Sequence, residues 1–342
     1  MKIRRSRAED RSAWLELLDG WELLDGWRGD VFFARPFEHD PTCAEDDVWV
    51  AEDAGSLVST LQIFPRLVDL RGSAVPMGGI GSVFTREACR GAGIASRLLA
   101  AAVVDMRDRG MEISLLFTGL LDFYARLGWR SWPLTRELLR PREGARVVGS
   151  DLVVTPFEAR DLEEVAALHA RGLAARECVA LREAGAWPVS LALAGNPAEE
   201  FVVARAEQGG PVLAYLRAAR LTSALSILEH GHADVDALAG LCAGLLGGRA
   251  PDPLASQERP SVDLRGYAVL PFAADAELAA ALERRGVTRQ AVQDPTAMLL
   301  CLDPPALAKR LGVELAAGEP PDAFLRRVLP PQRFGYWPAD RF

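Results

Sequence analysis

The chain has 342 residues, 49% apolar and 25% charged, the balance of a folded protein long enough for two domains, which excludes disordered and fibrous classes. A net charge of -8 speaks against a nucleic-acid surface, which needs clustered Lys and Arg, and weakly favours cationic partners such as amines. Five scattered cysteines without C-x-x-C spacing indicate neither a disulfide framework nor a zinc site, and no signal-like leader or membrane-length apolar run occurs, so a cytoplasmic protein is expected.

Ile3–Ser6 reads as a short strand, followed by the turn Arg7-Ala8-Glu9-Asp10 and a helix with Trp14, Leu15, Leu17 and Leu18 at helical spacing. Two tandem copies of Glu-Leu-Leu-Asp-Gly-Trp follow, over 16–21 and 22–27. A period of six suits neither helix nor strand, and each Gly interrupts a helix. A duplicated surface loop is expected, the alternative being that Trp21 or Trp27 lines a substrate lid. Two apolar strands, Val48–Glu52 and Leu57–Phe64, flank the hairpin Asp53-Ala54-Gly55-Ser56. Glu45, Asp46, Glu52 and Asp53 read as a solvated loop and hairpin rather than as a catalytic base.

Met77–Thr85 is a strand with Gly78, Gly79 and Gly81 inside it, which weakens a strand unless a bulge or a close approach is needed. Arg90-Gly91-Ala92-Gly93-Ile94-Ala95 then turns into a helix, Ile94–Arg109, stopped by Gly110. A glycine turn at a helix start offers free N–H groups and the positive end of the helix dipole, which suits a phosphate. A nucleotide-triphosphate loop would end in Gly-Lys-Ser or Gly-Lys-Thr, and a dinucleotide site would have a third spaced glycine; this turn has neither. After the strand Ile113–Phe117 come Thr118-Gly119, a short helix and Phe123-Tyr124-Ala125-Arg126-Leu127-Gly128-Trp129.

Together these segments resemble the GNAT N-acetyltransferases, with their Gln/Arg-x-x-Gly-x-Gly/Ala turn after a strand and Phe-Tyr-x-x-Leu-Gly-Phe/Trp motif after the fifth strand. The resemblance implies acetyl-CoA as cosubstrate and no metal, with Arg90 opening the cofactor turn and the pyrophosphate on the amides of Gly91, Ala92, Gly93, Ile94, Ala95 and Ser96. It also implies that the backbone of Val83, Phe84 and Thr85 pairs with the pantetheine arm, Val83 N–H polarising the acetyl carbonyl. Tyr124 would protonate the departing thiolate, a role open to a neutral phenol at pH 7; the plainer alternative is that Tyr124 only packs. Glu87 stands where the family commonly has Pro, a departure that affects the turn more than the chemistry.

Val153 opens a second, similar order. Val154–Asp161 leads into a helix with Leu162, Val165, Ala166 and Leu168, and the strands Phe201–Ala206 and Val212–Ala218 flank Glu207-Gln208-Gly209-Gly210. After the strand Ala224–Glu229 the parallel breaks, because no glycine turn precedes the helix Val235–Leu246. A surface loop over Arg249–Pro260 is followed by Ser261–Leu270, Ala276–Arg285 and Ala297–Leu302 as strand, helix and strand. His230-Gly231-His232 has no third ligand in sequence reach, and Cys89 has no partnered His.

The expected fold is α/β, two tandem GNAT-like domains with mixed, mostly antiparallel sheets flanked by helices. Residues 1–145 form the catalytic domain, 146–302 a degenerate copy that walls the cavity and forms oligomer contacts, and 303–342 a tail whose Tyr336 and Trp337 dock it toward the active site. The arrangement resembles the tandem-GNAT proteins of the Eis type without their third, sterol-carrier-like domain. Those end in an aromatic residue whose carboxylate reaches the active site, which makes Phe342 a candidate base. The function implied is direct acetyl transfer to a primary amine of a small molecule or peptide; the alternative is a non-catalytic acyl-CoA sensor.

Overall fold

The computed structural model describes residues 1–21, 29–144, 152–174, 176–182, 186–194, 199–221, 224–247 and 267–341. The strands of the first half are β1 (Lys2–Arg5), β2 (Val48–Asp53), β3 (Ser56–Leu70), β4 (Ser73–Thr85), β5 (Ile113–Phe117), β6 (Arg130–Ser131) and β7 (Leu134–Pro141). Those of the second are β8 (Val153–Pro156), β9 (Val179–Ala180), β10 (Glu199–Arg205), β11 (Ala214–Leu221), β12 (Ala224–His232), β13 (Ala268–Leu270), β14 (Val287–Asp294) and β15 (Ala297–Cys301). They form two mixed sheets, ordered β1-β2-β3-β4-β5-β15-β6, with β9 on β3, and β14-β7-β13-β12-β11-β10-β8. Neighbours are antiparallel except β4 with β5 and β12 with β13, so each sheet contains one parallel pair. The α/β class and the repeat of one design are as expected from the sequence.

Helices α1 (Arg11–Asp19), α2 (Gly29–His39), α3 (Ile94–Asp108) and α4 (Leu121–Ala125) belong to the first half. The second has α5 (Leu162–Leu173), α6 (Ala186–Ala194), α7 (Val235–Gly247) and α8 (Ala276–Arg284), then α9 (Pro304–Leu311) and α10 (Pro321–Val328). The crossover helices of the two parallel pairs are α3 and α7. On α3, Leu98, Leu99, Ala102 and Met106 are buried, an i, i+3, i+4 stripe laid on the sheet. Gly78 permits that approach: a Cβ there would lie 2.9 Å from Met111 Sδ and closer still to Met106 Sδ. Gly231 does the same for α5, whose Leu168 backbone would be 3.0 Å from an added Cβ.

The sheets are not contiguous in sequence. Strand β7 leaves the first half and pairs with β13 and β14, while β15 returns to lie between β5 and β6. Ala297, Met298 and Leu299 of β15 are buried in the first sheet's cores, so each sheet is completed by a strand from the other half. The divisions at 145/146 and 302/303 follow the chain but not the sheets. Local patterning cannot reveal this, since an alternating apolar strand fits either sheet and pairing is decided by tertiary contacts.

One segment differs from the surface loop expected. The first hexapeptide copy lies in α1 up to Asp19, with Leu17 and Leu18 buried and Gly20 as C-cap. The helix α2 contains Pro36. The second copy with Trp27, and the loop Arg249–Pro260, lie outside the described residues. From Asp303 the tail packs rather than frays: Phe324, Tyr336 and Trp337 are buried. Trp337 sits 4.7 Å from the Phe272 ring and 5.1 Å from that of His230.

Candidate active site

Strands β4 and β5 pair only at Met77–Ile113, Gly78–Ser114 and Gly79–Leu115. Beyond Gly79 both continue, to Thr85 and Phe117, without pairing to each other, so the sheet parts and one edge of β4 is unpaired. On the other edge, a bulge opposite Leu61 leaves Ser82 and Val83 outside the ladder with β3, Ser82 at φ 52°. Unpaired backbone groups on a parted edge can take an added strand-like ligand, and the bulge re-aims the peptide groups at Val83.

At the end of β4, Gly91 and Gly93 have φ of 79° and 71°. No atom lies within 4 Å of a Cβ built on either, so glycine is needed for the left-handed backbone and not for space. Gly93 is the N-cap of α3 and no side chain caps it. The first intrahelical bond runs from Arg97 N–H to Gly93 O at 3.2 Å, which leaves the amides of Ile94, Ala95 and Ser96 for an anion. Arg90 braces the turn through Nε to Thr85 O, 3.1 Å.

The corresponding start of α7 is different. Asp234 Oδ1 accepts from Asp236 N–H at 2.8 Å and Ala237 N–H at 3.1 Å, so a carboxylate of the chain already occupies that helix terminus.

Tyr124 lies on α4, where Leu127 N–H and Trp129 N–H both donate to its carbonyl, at 3.0 and 3.2 Å. Gly128, at φ 106°, closes that turn. The spacing of the motif places the Tyr124 ring edge-on to Phe123 and Trp129, with centroids 4.9 and 6.1 Å apart. Burial pushes the phenol up to about 12, so it is a neutral donor throughout the neutral range. Tyr124 and Val83 line one cavity of ≈ 480 Å³ with Thr118, Phe117 and Leu116 of the parted β5 end.

The tail reaches the same cavity. Asp340 accepts from Arg182 Nε at 2.8 Å, and Arg341 lines the cavity with its guanidinium 4.0 Å from the Phe117 ring centroid. Phe342 lies outside the described residues. Val83 and Tyr124 thus share a cavity, and Phe84, Thr85 and the turn from Arg90 to Ser96 lead away from it along β4 and into α3. Trp21 also lines the cavity.

Glu45, Asp46, Glu52 and Asp53 do not line it; they pair with Arg11, Arg5, Arg4 and the N-terminal amine. Cys89 packs at the edge of the α3 core. Sequence reasoning missed Arg35, Arg66 and Arg341 in the cavity wall. They come from α2, from the long second half of β3 and from the tail, and no local pattern unites them.

A family model described as an acetyltransferase (GNAT) domain matches residues 2–131. No curated protein matches the sequence. Among solved structures, a probable N-acyltransferase from Enterococcus faecalis is similar with a TM-score of 0.66 and 16% identity, over 90% of this chain and 74% of that one. Eis1 from Mycobacterium abscessus gives 0.55 and 18%, over 89% and 74%. Saccharomyces cerevisiae N-myristoyltransferase with bound myristoyl-CoA gives 0.55 and 10%, over 87% and 82%. Among the described residues, no helix is long and apolar enough to cross a membrane. Residues 2–131 accordingly match a GNAT acetyltransferase domain, in a chain whose fold is similar to that of solved N-acyltransferases.

Proposed function

We propose that the chain transfers an acetyl group from acetyl-CoA directly to a primary amine, and that the first sheet alone binds the cosubstrate. The observation that carries this reading is the parting of β4 from β5 between an uncapped helix start and Tyr124. In this reading the amides from Gly91 through Ser96 hold the pyrophosphate, as a helix terminus holds anions, with Arg90 opening the turn. The backbone of Val83, Phe84 and Thr85 pairs with the pantetheine, and Val83 N–H stabilises the developing oxyanion. The amine nitrogen bonds to the thioester carbon, the carbon–sulfur bond breaks, and Tyr124 O–H gives its proton to the departing sulfur. The self-capped start of α7 supports one cosubstrate site and not two.

Thiol release from acetyl-CoA is expected only when an amine is present, in step with N-acetylated product. Acetyl-CoA binding with no amine-dependent release across a broad amine panel would overturn the reading in favour of an acyl-CoA-binding protein. Myristoyl-CoA run beside acetyl-CoA fixes the acyl length, and the reading expects the shorter chain to be preferred.

The amine must also lose a proton, and the proposed acceptor is the carboxylate of Phe342, the residue that follows Arg341 in the sequence. Adding one residue after Phe342 is expected to abolish turnover while acetyl-CoA still binds. Undiminished turnover in that variant removes Phe342 from the mechanism.

A further inference from the structure

The acceptor end of the cavity carries a charge that the acidic chain as a whole does not foreshadow. Among the described residues that line it, three are arginines, Arg35, Arg66 and Arg341, and none is Asp or Glu. The three are not equivalent. Arg66 lies 2.8 Å from Oδ2 of the buried Asp40 and also donates to Thr42 Oγ1 at 3.1 Å. Arg35 is opposed by the carboxylates of Glu199 and Glu38.

Arg341 has no such match. Its nearby carboxylate, Asp294, is already bridged to Arg136, and Arg136 repels Arg341. Its Nε and Nη2 are shielded from solvent and have no hydrogen-bond partner among the described residues. Burial first, and Arg136 second, push its pKa down to about 9. A largely buried guanidinium whose Nε and Nη2 lack a hydrogen-bond acceptor among the described residues is costly, and an anion brought to it is correspondingly favoured.

Resting on the reading of the chain as an N-acetyltransferase, we propose that its acceptor is a primary amine that also carries one carboxylate on an apolar or aromatic body, an α-amino acid in kind, with the carboxylate on Arg341. A guanidinium offers parallel N–H donors that fit a carboxylate. One unmatched cation suits a monoanion rather than a phosphate dianion. The remaining wall provides the apolar surface: Trp21 and Phe33, 5.4 Å apart, and Phe64 line the same cavity. A polyamine, in contrast, would bring further cations beside the unmatched Arg341, in a cavity whose described lining has no Asp or Glu, and such repulsion is strong away from bulk water.

The test pairs each aromatic and aliphatic α-amino acid with its amide, in acetyl-CoA-dependent thiol release, and pairs the N-acetylated acid with the N-acetylated amide in equilibrium binding. The acid is expected to exceed the amide by roughly tenfold or more in both readouts, the worth of one charged hydrogen-bonded contact. Arg341→Met should level the two, and Arg341→Lys should restore part of the difference. Equal binding of acid and amide by the wild-type chain overturns the proposal, as it would if the chain's own terminal carboxylate were the partner of Arg341. Absence of release with every amine, with the N-acetylated acid still bound and its amide not, strikes the transfer reading instead and leaves the carboxylate site standing.

Discussion

Tyr124→Phe is expected to lower kcat by roughly 10²-fold or more, the usual contribution of a positioned general acid, with acetyl-CoA affinity unchanged. The substitution removes one oxygen and keeps the ring, so the edge-on contacts with Phe123 and Trp129 and the turn at Gly128 persist. The groups proposed to bind the cosubstrate lie on β4 and α3, not on α4. Because burial pushes the phenol up to about 12, it remains protonated across the accessible alkaline range. The ratio of wild-type to variant rate should therefore stay level from about pH 7 to pH 10, where an ordinary tyrosine begins to ionise. A ratio that collapses near pH 10 contradicts the buried phenol as donor. A loss below about threefold leaves Tyr124 as a packing residue and returns proton delivery to water.

The parts of this site that could be read from the sequence are those encoded by neighbouring residues. The turn from Arg90 to Ala95 and the segment from Phe123 to Trp129 are each short and contiguous in sequence, and their glycines are needed for local backbone angles at Gly91, Gly93 and Gly128. Gly78 was legible as a residue needing close approach, but what approaches it is the Met106 side chain of α3. The exchange of β7 and β15 was not legible, because Leu134 and Leu139 or Met298 and Leu299 present similar apolar faces and only the whole fold decides their partners. Nor was the arginine wall, since the residues that form it are 35, 66 and 341 in the chain. Net charge pointed toward cationic partners, yet charge averaged over a surface does not report the lining of one cavity.

Glu229→Gln is expected to cost about 3 kcal/mol or more of stability, the scale for removing one partner of a buried ion pair. Glu229 is fully buried on β12, 2.6 Å from Arg182, 2.8 Å from Tyr215 Oη and 3.2 Å from His169 Nδ1. Burial alone would raise its pKa, but Arg182, His169 and Arg217 hold it well below the ordinary value of 4.5. A lowered carboxyl contributes stability above that ordinary value and loses it as pH falls toward the folded one. The difference between wild type and variant should thus be constant from about pH 6 to pH 8 and shrink only below the ordinary carboxyl range.

Arg182 also holds Asp340 at 2.7 Å, one residue before Arg341, so the network ties the second sheet to the wall of the first sheet's cavity. Loss of Glu229 should accordingly reduce kcat/KM for the amine at temperatures where the variant is folded, while acetyl-CoA binding at α3 persists. Pairing Glu229→Gln with Arg182→Met should give clearly non-additive losses. Full additivity, or an amine kcat/KM untouched in the folded variant, would mean that the network only packs. The sheet whose helix terminus is closed by Asp234 would otherwise serve the reaction through the tail that it holds in place.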